Sequence, residues 1–406
     1  ELAGGITIAA ETITLNGNGE SNVAAIPLRN VSGTNTWQGN VVLNSNRTAI
    51  ETLAGSELII NGVISGNAFN LFGTGTTEFG GTANNTFNTT SYLWEGTLEL
   101  NKTAGINAIG ALGNGAELRV GNYYGTDNSV VLRNLANDQI ADVGFRFRVM
   151  QTGVYDLNGF SESLRGRNDG TVTTDYDALG LEVGSVGSGD VNLNGGTLTL
   201  NNATTNAGLI TQRYLPGGVP PAPATISNGT LNLFGTTGSI TRMIRVDDTP
   251  AVDDLVISAV IADGGATGTV QKEGDGRLVL SGNNTFASAF IANRGETVAK
   301  HNNAFGSNVG GTTINSGFSV LIDGSAGALT LAENFTVNGL GFGSRGALVN
   351  LAGSNTLNGT LTLAGNTRLG VVGAGDTLTQ VGAISGAFAL SKYLPGTFVI
   401  GGGAAD

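Results

Sequence analysis

Two stretches of this 406-residue chain, "GTNTWQGNVVLNSNRTAIETLAGSELIINGVISG" (Gly33 to Gly66) and "GSNTLNGTLTLAGNTRLGVVGAGDTLTQVGAISG" (Gly353 to Gly386), align without a gap at an offset of 320. Gly39, Leu43, Gly55, Leu58, Gly62, Ile64 and Gly66 meet Gly359, Leu363, Gly375, Leu378, Gly382, Ile384 and Gly386. A second pair joins "NNTFNTTSYLWEGTLEL" (Asn84 to Leu100) to "NNTFASAFIANRGETVA" (Asn283 to Ala299). A catalytic motif is needed once in a domain, whereas a structural unit recurs. Internal similarity of this kind marks stacked repeats, and it decides the fold before any single residue is read.

The shortest unit is a glycine followed by alternating residues: "GTLEL" from Gly96, "GTLTL" from Gly196 and Gly359, "GTLNL" from Gly229, with "GSELII" from Gly55 and "GAELRV" from Gly115 as variants. Leu98 and Leu100 against Thr97 and Glu99 give the period of two expected of a strand with one buried face. The flanking Gly and Asn residues suit sharp corners, where left-handed backbone is tolerated. Spacings of 19 residues from Gly96 to Gly115 and 41 from Gly55 to Gly96 set one coil per roughly 20 residues, the period of a β-solenoid. Composition agrees: 66 Gly and only 12% charged residues make poor helix, while 40% hydrophobic residues in short regular runs supply a core that a disordered tract lacks.

In "LSGNNTF", Leu278 to Leu280 reads as a strand, Ser281 to Asn284 as a corner and Phe286 as the next buried side chain. Stacked coils would repeat that corner above itself, with Asn side chains bonding in a ladder and Phe rings stacking. Taken with "KEGDGRLVLSGNNTF" (Lys272 to Phe286), "GSELIINGVISG", "YDLNGFSESLRG" (Tyr155 to Gly166) and "SGTNTWQGNVVL" (Ser32 to Leu43), the sequence resembles the autotransporter-associated β-strand repeats of large bacterial surface proteins. That resemblance implies an all-β fold, a right-handed parallel β-helix passenger exported through the outer membrane by a C-terminal barrel. The match is degenerate at "GETVA" (Gly295 to Ala299), where "GTLVL" is the expected form.

The expected organisation is one continuous solenoid over 1–406, with roughly 20 coils and a length on the order of 95 Å at a strand spacing of about 4.8 Å. Residues 121–189, richer in charge and aromatics, are a divergent segment within it. Residues 203–225 hold Pro216, Pro220, Pro221 and Pro223 and read as a loop excursion, because proline cannot donate to a ladder. The chain opens at Glu1 and carries neither a signal peptide nor a barrel, which reads as a piece of a longer exported protein.

Charge narrows the functions. A net charge of -12 with four lysines disfavours nucleic acid, whose phosphates need clustered positive charge. With no cysteine there is neither a disulfide nor a thiolate metal site. The single histidine, His301, stands at an expected corner with no nucleophile elbow to serve. The acidic pairs Asp247 with Asp248, Asp253 with Asp254, and Asp175 with Asp177 are what a polysaccharide-cleaving β-helix would use, at about 5 to 9.5 Å separation. The first four are also the candidate ligands for a calcium ion, without the spacing of an EF-hand. Tyr123 and Tyr124, with Trp37 and Trp94, are the candidates for stacking on glycans.

These readings point to a secreted or cell-surface structural and adhesive fibre with no catalytic role. Its partners would be a host or neighbouring cell surface, glycans included. The alternatives are a filament subunit joined end to end and a carbohydrate-active β-helix enzyme.

Overall fold

The computed structural model describes the chain except residues 20–25, 114–115, 124, 144, 166–180, 186–188, 202–207, 213–221, 236–239 and 402–406; for 181–185 and 208–212 it describes the backbone alone. Among the described residues the architecture is all-β, with a single 3₁₀ turn at Phe342–Ser344 as the only helical element. Among the described residues the strand pairings are parallel in the two compact units into which the chain divides, Glu1–Asn202 with Leu209–Thr230, and Ala203–Gly208 with Leu231–Asp406. The fold is a parallel β-solenoid, as the repeats required.

In the first unit, one face stacks Thr34–Trp37, Glu57–Ile60, Thr76–Gly81, Thr97–Lys102 and Val130–Asn134 in order. A second stacks Thr48–Thr52, Phe69–Phe72, Ser91–Leu93 and Glu117–Val120. A third, short face holds Ile13–Leu15, Val41–Leu43 and Ile64–Gly66. The second unit repeats the plan, with Arg277–Leu280, Glu296–Ala299, Ser319–Asp323 and Leu348–Ala352 on one face. Thr330–Leu331, Asn355–Leu357, Thr377–Gln380 and Thr397–Ile400 form its short face.

The alternation in the sequence becomes the alternation of burial: Leu98 and Leu100 are fully buried, while Thr97 and Glu99 face out. Each inward side chain stands over its counterpart one coil away, as Leu58, Thr77, Leu98 and Leu132 do. Corners need glycine because stacked backbones almost touch there. A Cβ on Gly62 would fall 1.8 Å from the Gly39 carbonyl oxygen, and one on Gly382 would fall 2.1 Å from that of Gly359. The equivalence at offset 320 is therefore physical.

It slips on one strand, where inward Thr48, Ile50 and Thr52 correspond to inward Thr367, Leu369 and Val371, an offset of 319. The coil period also varies. Glu78 pairs with Glu99 at 21 residues, but Glu99 with Arg133 at 34 and Tyr155 with Val191 at 36, because some corners carry loops.

The divergent segment lies within the solenoid, since Arg146–Met150 and Gly153–Asp156 pair with earlier coils in register. The loop expected over 203–225 is corrected in part. Gly208–Gln212 pairs with Leu181–Ser185, and Ala224–Ser227 with Asp190–Asn192, so part of that stretch is strand. Pro216, Pro220 and Pro221 lie outside the described residues.

Candidate functional site

The corners carry the most elaborate chemistry. At the second Asn-Asn-Thr-Phe motif, buried Asn284 accepts from the Ile261 amide at 2.8 Å and donates to the Ala304 carbonyl at 2.7 Å, so one side chain ties three consecutive coils. Asn85 does the same between the Ile64 amide (2.8 Å) and the Ala108 carbonyl (2.8 Å). The preceding Asn283 accepts from exposed Asn303, and Asn84 accepts from the Asn107 amide. Phe87 fills the corner's inner side, edge-on to Phe69 with ring centroids 5.1 Å apart. The expected ladder is present, as bonds from amide side chains to the backbones of neighbouring coils.

A related corner uses asparagines five residues apart. Asn35 donates to Asn30 and accepts from the Gly5 and Ile6 amides. Asn355 donates to Asn350 and accepts from the Leu329 amide, 320 residues on.

Lysine also serves corners, which sequence reasoning missed. Buried Lys272 donates to the carbonyls of Glu273, Gly274 and Arg294 at 2.7 to 3.0 Å. Lys102 donates to Gly80 at 2.7 Å and Gly62 at 3.4 Å, on two successive coils, and Lys392 to Leu394 and Gly396. Burial pushes Lys272 down to about 7 and Lys102 down to about 8. Lys272 and Lys392 each stand four residues ahead of a corner glycine, Gly276 and Gly396, and that spacing was the available signal.

The acidic candidates have structural partners. Asp254 accepts from the Thr249 amide (2.8 Å), the Thr249 hydroxyl (2.6 Å) and the Arg277 amide (2.6 Å), and burial raises its pKa. Asp253 faces Arg277 and Lys300, each at 3.7 Å, and Asp247 faces Arg245 at 3.5 Å. Asp248 is exposed. Asp175 and Asp177 lie outside the described residues.

Among the described residues the carboxylates that do converge are Glu57, Glu78 and Glu99, whose oxygens lie within 4.8 Å of one another. They recur every 21 residues in "GSELII", "GTTEF" and "GTLEL". Glu78 is raised first by burial and then by its two acidic neighbours, and Asn101 donates to it at 2.9 Å. Thr34 donates to Glu57, and Arg133 pairs with Glu99 at 3.3 Å. These three are the residues that could meet a cation, each already with a protein partner. An open groove of about 450 Å³ beside Glu78, Asn101 and Lys102 adjoins them.

Of the aromatic candidates, Trp37 is buried and donates its indole N–H to the Glu11 carbonyl at 3.1 Å. Tyr123 is half-buried, and Tyr124 lies outside the described residues. Half-buried Trp94 stacks on Tyr92 with an interplanar angle of 2°, and the guanidinium groups of Arg47 and Arg119 lie 5.3 and 5.0 Å from the Tyr92 centroid. The ring of His301 accepts from the Asn303 amide at 3.0 Å, completing a turn. The irregular "GETVA" also has its reason: Glu296 bridges Arg277 (2.6 Å) and Arg345 across coils.

No family model, curated protein or solved structure matches the chain.

Proposed function

We propose that this chain is a structural and adhesive segment of an exported bacterial surface protein of the autotransporter-passenger kind. The observation that supports this reading is the corner bonding of Asn85, Asn284 and Lys272, buried side chains that each tie neighbouring coils through hydrogen bonds to backbone groups. Such a stack resists unravelling because one coil cannot leave without exposing unpaired backbone groups on the next. Repeated mechanical ties suit a scaffold that must persist outside the cell. The contact partner is a host or neighbouring cell surface, and the Tyr92–Trp94 pair is the surface through which sugars would be met.

The test is location and adhesion together. Antibody raised against the purified chain should label intact source cells, and the label should fall after external protease treatment. Label found only after lysis would overturn the reading. Beads coated with the chain should stay on target cells longer than beads coated with a Trp94→Ala variant if sugars are the ligand.

A further inference from the structure

We infer that the outward patch of Arg47, Tyr92, Trp94 and Arg119 in the first unit binds polysaccharides that carry carboxylate groups. The inference rests on the reading of Tyr92 and Trp94 as a sugar-facing surface and names the class of sugar.

Register assembles the patch from segments far apart in the chain. Ser91 and Leu93 are buried while Tyr92 and Trp94 face out, and Leu118 and Val120 are buried while Glu117 and Arg119 face out. Parallel pairing sets Tyr92 beside Arg119 and Arg119 beside Arg148, a single column along the stack, with Glu182 at the next register position. Arg47 reaches the same ring from the corner ahead of Thr48–Thr52.

Arginines gather here although the chain carries a net charge of -12. Like charges directly opposed across a sheet are destabilising, yet Arg119 stacks on Arg148. One carboxylate, Glu117, serves three guanidinium groups: it accepts from Arg119, and it pairs with Arg146 at 2.8 Å and Arg148 at 3.5 Å. The bond to Glu117 uses the Nε of Arg119, whose side chain is 24% exposed. Its terminal nitrogens form a planar fork of the kind that matches a carboxylate through two parallel hydrogen bonds.

The aromatic pair fixes where that fork stands. Trp94 lies parallel to Tyr92 with ring centroids 5.0 Å apart, and the guanidinium groups of Arg119 and Arg47 lie 5.0 and 5.3 Å from the Tyr92 centroid. Tyr92 is thus engaged by protein groups and seats both cations by cation–π attraction. The half-buried indole of Trp94 beside it is the wall on which a sugar ring lies. A neutral sugar on that wall would desolvate the fork without pairing it, which is costly. An acidic peptide would pair the fork without filling the wall. A sugar bearing a carboxylate satisfies both.

The experiment measures binding of soluble polymers to the immobilised chain by biolayer interferometry. Polygalacturonate and alginate are the acidic polysaccharides. Methyl-esterified polygalacturonate keeps the sugar backbone without the charge, and polyglutamate keeps the carboxylates without the sugar. Both acidic polysaccharides should bind, and salt near 1 M, where the screening length is about 3 Å, should release them. The methyl ester and polyglutamate should each bind about tenfold more weakly or less. Arg119→Gln and, at an outer corner, Arg47→Gln should each weaken the acidic polysaccharides about tenfold, with far-UV circular dichroism matching the wild type. Equal binding of the methyl ester overturns the inference and leaves the sugar-facing reading of Trp94 standing, whereas equal binding of polyglutamate overturns both. A chain that binds neither acidic polysaccharide, or binds them unchanged in both arginine variants, also overturns the inference.

Discussion

Replacing Asn284 by Ala removes a side chain that is 2% exposed and leaves the Ile261 amide and the Ala304 carbonyl without partners in a buried corner. Each orphaned backbone group costs about 1–3 kcal/mol, so the variant should lose about 2–5 kcal/mol. The neighbouring Asn283→Ala is the control: it deletes only an exposed bond to Asn303, worth about 0.5–1.5 kcal/mol at most. A repeat stack need not unfold in one step, so the readout should be local as well as global. Amide exchange at Ile261 should accelerate about 30-fold or more in Asn284→Ala, the rate equivalent of about 2 kcal/mol, and little in Asn283→Ala. If both variants match the wild type in urea midpoint and in exchange at Ile261, the corner is not held by this side chain and the reasoning fails.

Lys272→Met should cost about 2–4 kcal/mol, because three corner carbonyls lose their donor, and chemical denaturation will show it. Gly62→Ala, which sets a Cβ 1.8 Å from the Gly39 oxygen, should cost about 3 kcal/mol, whereas Gly55→Ala meets no neighbouring atom and pays only for its left-handed backbone. Burial pushes Glu333 up to about 7 from 4.5. Its native state therefore holds a proton that the unfolded chain has lost, so this contribution is full below pH 4.5 and falls as pH rises through about 7. Glu333→Gln should flatten that part of the stability profile, measured by urea midpoints from acid to neutral pH; an unchanged slope would contradict it. Leu98→Asp, a charge in a fully buried stack, should cost several kcal/mol, and an unchanged melting temperature would refute the inward assignment.

What repetition fixes was legible in the sequence. The Asn-Asn-Thr-Phe corner occurs twice, so its role could be separated from chance, and Leu98 with Leu100 declared their face by alternation alone. Features that occur once, or that break the pattern, were hidden. Glu162 stands on a strand where the next coil has Leu198, and it is buried because it accepts from the Gln139 amide and Asn134, closing a place where the preceding coil runs as a loop. Burial pushes it up to about 8. Nothing in "SESL" announces those partners, which lie more than twenty residues away.

The partners of the acidic candidates were hidden for the converse reason. Adjacent aspartates look like paired chemistry in one dimension, yet in the corner ahead of Leu255–Ile257 they meet different partners, Asp253 facing Arg277 and Lys300 and Asp254 accepting from Thr249 and the Arg277 amide. The carboxylates that converge, Glu57, Glu78 and Glu99, are 21 residues apart, and only the coil period brings them together.

The central claim is that residues about one coil apart lie side by side in parallel register. The chain has no cysteine, so engineered pairs report on that without background. Thr76 and Thr97 are register partners on outward positions, and adjacent strands about 4.8 Å apart fall within the Cα separation a disulfide accepts. Thr76→Cys with Thr97→Cys should therefore oxidise readily, while Thr76→Cys with Asn101→Cys, four residues out of register, should not. Cross-linking of the second pair in preference to the first would contradict the stacked-coil account.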